Sequence, residues 1–428
     1  MTIPDEIISG VLNEIDPDKL IKLTADLVRI NSVWDPAAAT NEQEAAEFVH
    51  SWARQQGFEV QLDQVVPGRP NVIISWSFEP GKRTLMFEGH TDVVTPGNLS
   101  AWTYDPFGAH IVGRRMYGRG TNDTKGNLAA MLTAMAALKN SGIALTGKII
   151  GGVLCDEEEQ MLGVRDFIKR GHADPVTAAI ICEPQDGLVC ITQKGALRVR
   201  FTITGKMSHG AMPLAGLNIA PAVSLLIQRM HQMEQAAVRA LGQDEYLGWP
   251  SFTPTVIRAP ASGTPQLNVM PGEGLLLFDI RTIPGQSHPK IISQLKDLIG
   301  DIEQQVCNDY EEYDRLLDVK RDPHLNVAVE ILTDRPCTLT DRNDPIVQAA
   351  HWATHKQAQK KPEYGGVPGA TDGTFLWSLK NIPIVTMGAG DRLVPHQVDE
   401  WVDLDQLIET AKIYTLTALH YLYPEDND

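Results

Sequence analysis

Residues 83–94, RTLMFEGHTDVV, join an apolar run to a histidine and an aspartate. A near-continuous apolar run is typical of a strand in a parallel sheet, where both faces are covered. KIIGGVLCDEEE at 148–159 and AAIICEP at 178–184 repeat this arrangement. TKGNLAAMLTAMAALKNSG at 124–142, which lies between the first two of these strands, is predicted to form a helix. This alternation of strands and helices predicts an α/β domain with a largely parallel sheet.

Charged residues follow each of these predicted strands at its carboxyl end. In open α/β sheets the ligand crevice lies outside this edge. Taken singly, each residue has an ordinary explanation as a surface residue or a helix cap. Together they converge on one edge, and packed carboxylates need a cation to offset their repulsion. The residues that predict this metal site are His90, Asp92, Asp123, the acidic run 156–159, Glu183 and His396.

The predicted ligand set contains imidazole and carboxylate groups but no thiolate. It suits zinc, with cobalt or manganese as alternatives, and it disfavours a structural zinc site. The candidates are too many for one tetrahedral catalytic ion with an open position. They suit two divalent ions about 3.5–4 Å apart that share a carboxylate. Such a pair would polarise a carbonyl group and activate water, which predicts a hydrolase.

A different pattern begins near residue 195. ALRVRFTITGK at 196–206 alternates like a half-exposed strand, and a helix, two strands, a second helix and a last strand follow it. This order is the split βαβ arrangement of a ferredoxin-like module. We therefore predict a catalytic domain formed by residues 1–194 and 338–428, interrupted at 195–337 by an inserted α+β domain.

The composition argues against two classes of partner. The chain has 54 Asp and Glu against 37 Lys and Arg, and a formal charge of −17 disfavours nucleic acid and anionic membranes. Its longest apolar runs have about half the length of a membrane span. The amino terminus shows no secretory pattern, and the five cysteines lack CxxC spacing. A cytoplasmic protein with reduced thiols is the simplest expectation.

Five motifs, taken in order, resemble those of a known metallopeptidase family. That family includes acetylornithine deacetylase, succinyl-diaminopimelate desuccinylase, aminoacylase and glutamate carboxypeptidase. The resemblance covers nearly the whole chain and implies a di-metal α/β domain with an inserted ferredoxin-like lid and dimerisation domain. The motifs are GHTDVV (89–94), YGRGTNDTKGN (117–127), DEEE (156–159), CEP (182–184) and GKMSHG (205–210).

The resemblance also implies how the ligands divide between two ions. Asp123 would bridge the ions. His90 and Glu183 would hold one of them. Glu158 and His396 would hold the other.

The residues near these ligands have implied roles as well. Adjacent residues of an extended segment point in different directions, so Glu157 and Glu158 should not share a role, and the family pattern makes Glu157 the general base. Asp92 lies two residues after His90 and faces the same way. It is expected to hydrogen-bond the His90 ring and fix its tautomer.

Four further residues match positions that the family uses for substrate. His209 would reach the active site of a partner subunit and stabilise the oxyanion, which implies a homodimer formed through the inserted domain. Asn268 and Arg281 would contact polar groups of the substrate, since the planar guanidinium binds carboxylates bidentately. A glycine-rich loop at 365–375, which includes Gly369, would offer backbone amides. The ordinary alternatives are a turn histidine and a surface ion pair for Arg281.

Two departures from the family pattern concern the pocket. Asn127 stands where the family usually has a glycine. Pro395 precedes His396, at a position where a small residue is more common. Neither change removes a ligand. Both weaken the transfer of a particular substrate from relatives to this chain.

The leading hypothesis for function is a deacylase that cleaves the amide of a small N-acyl amino acid. A dipeptidase or carboxypeptidase on the same scaffold is the nearest alternative; Arg281 offers a carboxylate clamp, but no seat for a free amine is identifiable. An inactive small-molecule-binding protein is the alternative from another class. A nucleotide-binding enzyme is unsupported, because residues 118–126 lack the GxxxxGK[ST] spacing.

Overall fold

The computed structural model describes residues 3–320, 324–358 and 362–424. Within these ranges no helix is both long enough and apolar enough to cross a bilayer. The helices are α1 (Asp5–Leu12), α2 (Pro17–Val28), α3 (Gln43–Gln55), α4 (Lys125–Asn140), α5 (Leu162–Lys169), α6 (Ala220–Leu241), α7 (His288–Leu317), α8 (Pro345–Ala358), α9 (Gly373–Lys380) and α10 (Leu404–Leu422). The strands are β1 (Glu59–Val66), β2 (Arg69–Ser77), β3 (Glu79–His90), β4 (His110–Val112), β5 (Arg115–Tyr117), β6 (Thr146–Leu154), β7 (Ala178–Cys182), β8 (Val189–Gln193), β9 (Gly195–Thr204), β10 (Ser208–His209), β11 (Ser251–Arg258), β12 (Val269–Met270), β13 (Glu273–Thr282), β14 (Asn326–Arg335), β15 (Thr338–Leu339), β16 (Tyr364–Val367), β17 (Ile384–Met387) and β18 (Trp401–Asp403).

The large sheet has nine strands in the order β1-β2-β6-β3-β7-β17-β8-β15, with β16 paired to β8. Its centre is parallel, since β6, β3, β7 and β17 run in one direction. Its flanks are antiparallel, since β1 pairs with β2 and β2 with β6 on one side, and β17 pairs with β8 on the other. Only two residues join β1 to β2, which is typical of a hairpin. The predicted α/β class is confirmed, but the sheet is mixed rather than largely parallel.

Helices pack against the parallel centre of this sheet. Side chains alternate along β3, so that Met86 joins the apolar cluster beneath α5 and α9, whereas Phe87 contacts Tyr414 of α10. Helix α4 is buried on nearly every face and packs against α10 and α2. All five residues of β7 are buried, which matches the apolar run that predicted this strand.

The second sheet has the predicted ferredoxin-like topology. Strands β9, β11, β13 and β14 form an antiparallel sheet in the order β11-β13-β9-β14, with α6 after β9 and α7 after β13. Inward residues of β9, including Val199 and Phe201, pack against Leu226 of α6 and Leu295 of α7 in one apolar core. The apolar stretch at 267–282 forms two strands, because Pro271 and Gly272 separate β12 from β13.

Contacts divide the chain into two compact units. The first consists of residues up to Thr192, Leu339–Val367 and the chain from Thr371 onward; the second consists of Gln193–Thr338 with Pro368–Ala370. The sequence does not predict that Pro368–Ala370 belongs with the second unit, because three residues of a glycine-rich segment carry no periodicity that would assign them.

Candidate metal centre

The carboxyl ends of the central strands lie at one edge of the large sheet. In the parallel register His90, the last residue of β3, pairs with Leu154, the last residue of β6. Met387 of β17 likewise pairs with Cys182 of β7, and each is the last residue of its strand. The loops that follow these four strands therefore begin side by side.

One group of three candidate ligands forms around His90. The Nε2 atom of His90 lies 3.3 Å from Oδ1 of Asp123 and 3.4 Å from Oε1 of Glu183. The ring is fully buried, and Nε2 has no hydrogen-bond partner. A buried nitrogen that faces two carboxylate oxygens without a hydrogen bond suits coordination of a divalent cation.

A second group shares Asp123. The Nε2 atom of His396 lies 3.4 Å from Oδ2 of Asp123 and 3.0 Å from a carboxylate oxygen of Glu158. One oxygen of Asp123 therefore faces each histidine. The two groups, His90–Asp123–Glu183 and Asp123–Glu158–His396, each place three ligand atoms within 4.8 Å of one another. The five ligands predicted from the sequence come together in this way, and the donor set fits two cations.

The tautomer of His90 follows from its other nitrogen. Nδ1 lies 3.0 Å from the backbone carbonyl of Asp92 and 3.4 Å from its carboxylate. Both groups are acceptors, so Nδ1 carries a proton, and in the neutral ring the lone pair of Nε2 would point into the ligand group. We expected the carboxylate of Asp92 to bond this ring. The nearer acceptor is the Asp92 carbonyl.

The carboxylate of Asp92 also holds the acidic turn after β6. Its two oxygens accept hydrogen bonds from the amides of Glu157 at 3.2 Å and Glu158 at 3.0 Å. Asp92 thereby links the strand end that carries His90 to the turn that carries two glutamates. Glu158 belongs to the second ligand group, whereas neither group includes Glu157. The sequence alone did not decide which of the two glutamates is the candidate ligand, and the structure places Glu158 in a ligand group and Glu157 outside both.

Charge is concentrated in this centre. Burial, followed by the charge of Asp123, raises the pKa of Glu158 and that of Glu183 to about 7. Contacts with Asp123 and Glu158 raise the pKa of His396 to about 10. Without a metal, Glu158 and Glu183 are therefore partly protonated at neutral pH, and His396 is largely protonated. Because metal ligands must be deprotonated, cation binding would release these protons.

Sequence reasoning missed the pair that holds Asp123 in place. One oxygen of Glu400 accepts hydrogen bonds from the amides of Gly120, Asn122 and Asp123, at 3.0, 2.9 and 3.0 Å. The other lies 2.5 Å from Arg119, and both side chains are almost fully buried. No spacing signal could reveal this pair, because Glu400 follows Asp123 at a distance of 277 residues.

The four predicted substrate residues lie in the second unit. His209, which is exposed, pairs with Val269 across β10 and β12, and the carbonyl of Asn268 accepts a hydrogen bond from Gly210 at 2.7 Å. Nε of Arg281 lies 2.7 Å from Asp279, so the ordinary ion pair weighed for this arginine is present. The space beside Gly369 is open, since a Cβ atom placed there would have no atom within 4 Å apart from its chain neighbours.

Comparison with known proteins gives a consistent result. Residues 86–420 match the family described as peptidase family M20/M25/M40. The probable succinyl-diaminopimelate desuccinylase of Staphylococcus epidermidis is 26% identical over 436 residues, covering 96% of this chain and 99% of that protein.

Two solved structures share the fold. The M20 metallo-carboxypeptidase Sso-CP2 of Sulfolobus solfataricus has a TM-score of 0.73 and 18% identity, with coverage of 95% of this chain and 99% of that one. The YXEP protein of Bacillus subtilis, described as a dinuclear metal binding peptidase of the M20 family, has a TM-score of 0.66 and 14% identity, with coverage of 95% and 98%. The matched segment contains all five candidate ligands and confirms the resemblance seen in the motifs: the chain belongs to peptidase family M20/M25/M40, a family of metallopeptidases.

Proposed function

We propose that this protein is a two-metal hydrolase that removes the acyl group from a small N-acyl amino acid. The observation that carries the proposal is the bridging position of Asp123, whose two oxygens face two separate histidine-containing ligand groups. Zinc is the proposed metal, because the donors are imidazole and carboxylate. When bound, such a pair of cations polarises a carbonyl group and makes water more acidic.

Glu157 is the proposed general base. Its carboxyl group is buried beside the ligand groups without belonging to either. Burial raises the pKa of Glu157 well above its usual range, although His90 opposes the shift. A carboxylate next to the metal ligands can accept a proton from the attacking water and pass it to the leaving nitrogen. This assignment gives the two adjacent glutamates different tasks.

The substrate would be anchored through its carboxylate. Arg281, Asn268 and the amides near Gly369 are the proposed contacts, as the family resemblance implies. The fork of Arg281 already engages Asp279 through Nε and Nη2, which holds the guanidinium in a defined orientation. A rigid, pre-oriented guanidinium loses little entropy when it binds a carboxylate.

A substrate panel tests this function. The zinc-loaded protein, assayed against N-acetyl and N-succinyl amino acids beside dipeptides and carboxypeptidase substrates, is expected to prefer the acylated amino acids by kcat/KM. The name of the Staphylococcus relative supports this order. Preference for peptides would favour the carboxypeptidase alternative, which the name of Sso-CP2 supports. Failure to cleave any amide would leave only a binding protein.

The proposal includes a homodimer in which His209 serves the partner's active site. We expect His209→Ala and Glu157→Ala each to be nearly inactive. Mixing and re-equilibrating the two variants should restore about a quarter of the wild-type activity, because half of the dimers would pair one intact base with one intact histidine. A fully active monomer, or mixed dimers without recovery, would contradict the trans role of His209.

We also propose that the protein works in a reducing compartment such as the cytoplasm. All five cysteines are free thiols, and four of them are buried. Burial raises the pKa of Cys155, Cys182, Cys190 and Cys337, which keeps these thiols protonated and unreactive.

A further inference from the structure

A buried ion-pair network lies behind the turn that carries Glu157. Arg69, at the start of β2, is 3% exposed. Its guanidinium lies 2.5 Å from Glu42 and 2.6 Å from Asp156, and both of these carboxylates are fully buried. The Trp34 ring lies 4.6 Å from the guanidinium carbon. One arginine therefore joins two buried acids, and one of them immediately precedes Glu157.

Asp156 ties the acidic turn together. Its backbone has a φ of 65°, in the left-handed region that non-glycine residues rarely adopt. While one carboxylate oxygen faces Arg69, the other accepts hydrogen bonds from the amides of Gln160 and Leu162, each at 3.2 Å. The side chain of Asp156 thus connects the first residue of the turn to its last residues and stabilises the unusual backbone conformation of Asp156.

The opposite side of the turn is held from the metal centre. The amides of Glu157 and Glu158 point at the carboxylate of Asp92. Two sets of contacts therefore fix the direction of the Glu157 side chain. Asp92 binds the turn on the side of the metal centre, and Arg69 binds it through Asp156 on the other side. Neither Arg69 nor Asp156 belongs to a candidate ligand group.

We infer that Arg69 is a positioning residue for the general base Glu157, and that it acts through Asp156. The inference rests on the proposed function. The planar fork engages Glu42 through Nε and Nη2 and Asp156 through Nη1 at the same time. A lysine ammonium presents its donors from one atom and matches this geometry less well. Loss of the guanidinium leaves two buried carboxylates without their cation. We expect Asp156 to shift and the Glu157 carboxyl group to move with it.

Arg69→Ala and Arg69→Lys test the inference on the full-length enzyme. A misplacement of about 1 Å can cost about 10²-fold in rate, so kcat should fall by about that factor in Arg69→Ala and less in Arg69→Lys. KM and the metal content should match the wild type, and the absorption spectrum of the cobalt-loaded variant should be unchanged. Added guanidinium chloride at low millimolar concentration should restore part of kcat in Arg69→Ala, whereas sodium chloride should not.

Arg83→Ala is the matched control. Arg83 is partly buried, its guanidinium lies over the ring of Tyr421, and it donates a hydrogen bond to the Tyr421 carbonyl. It lies in the first half of β3, whereas His90 is the last residue of that strand. The kcat of Arg83→Ala should match that of the wild type, and added guanidinium chloride should not change it. If Arg69→Ala fails to fold, Arg69→Lys and Glu42→Gln carry the test through the same split between kcat and KM.

Two results would overturn the inference alone. One is a wild-type kcat in folded Arg69→Ala; the other is a loss of kcat that tracks loss of metal or of folded protein and does not respond to guanidinium. In both cases the wild-type enzyme would still be active, so the proposed function would stand. Absence of amide turnover in the wild type would instead overturn the proposed function, and this inference with it.

Discussion

Glu157→Ala is expected to bind both metal ions and to lose kcat by about 10²–10⁴-fold, the usual contribution of a positioned general base. The reason is geometric. Glu157 is buried next to the ligand groups but supplies no atom to either. Steady-state kinetics and elemental analysis of the same preparation measure both effects.

Two neighbouring acids provide the controls for this variant. Glu158→Ala should lose the ion of the His396 group, since Glu158 contributes a ligand atom there. Glu159→Ala should behave like the wild type, because Glu159 is exposed. Equal loss of metal from Glu157→Ala and Glu158→Ala would show that the roles of the two glutamates are not divided as proposed.

Asp123→Ala is expected to lose both ions and all measurable turnover. Asp123 is the one residue shared by the two ligand groups, and each of its oxygens faces a different histidine. Its removal takes a ligand from both ions, and it leaves Glu158 and Glu183 without the cations that offset their charge. Metal titration followed by elemental analysis would show the loss.

Asp92→Ala provides the graded comparison for Asp123→Ala. Asp92 orients His90 and the acidic turn but lies in neither ligand group. Its loss should weaken metal affinity by about 10–100-fold, the usual effect of removing a residue that orients a ligand. Retention of both ions by Asp123→Ala, or a weaker effect there than in Asp92→Ala, would contradict the bridging role.

The candidate ligands that the structure brings together could be picked out because most of them sit at positions that local patterns define. Apolar runs mark the strands, and parallel strands bring their carboxyl ends to one edge. His90, Glu158 and Glu183 follow such runs directly. The mixed character of the sheet was harder to predict, since a short apolar run reads alike in parallel and antiparallel pairing.

The residues that support the ligands could not be predicted in the same way. Glu400 reaches the amide of Asp123 from 277 positions later, and Arg69 joins Glu42 to Asp156 across three separate segments. Each of these residues looks like an ordinary surface charge in the sequence. Their roles follow from burial and pairing, which only the folded chain reveals.

Anomalous diffraction from crystals of the zinc-loaded protein tests the central claim most directly. We expect two ions per chain, one between His90, Asp123 and Glu183 and the other between Asp123, Glu158 and His396, with one oxygen of Asp123 on each. A single ion, or ions bound away from Asp123, would contradict the two-metal centre and the hydrolase proposed from it.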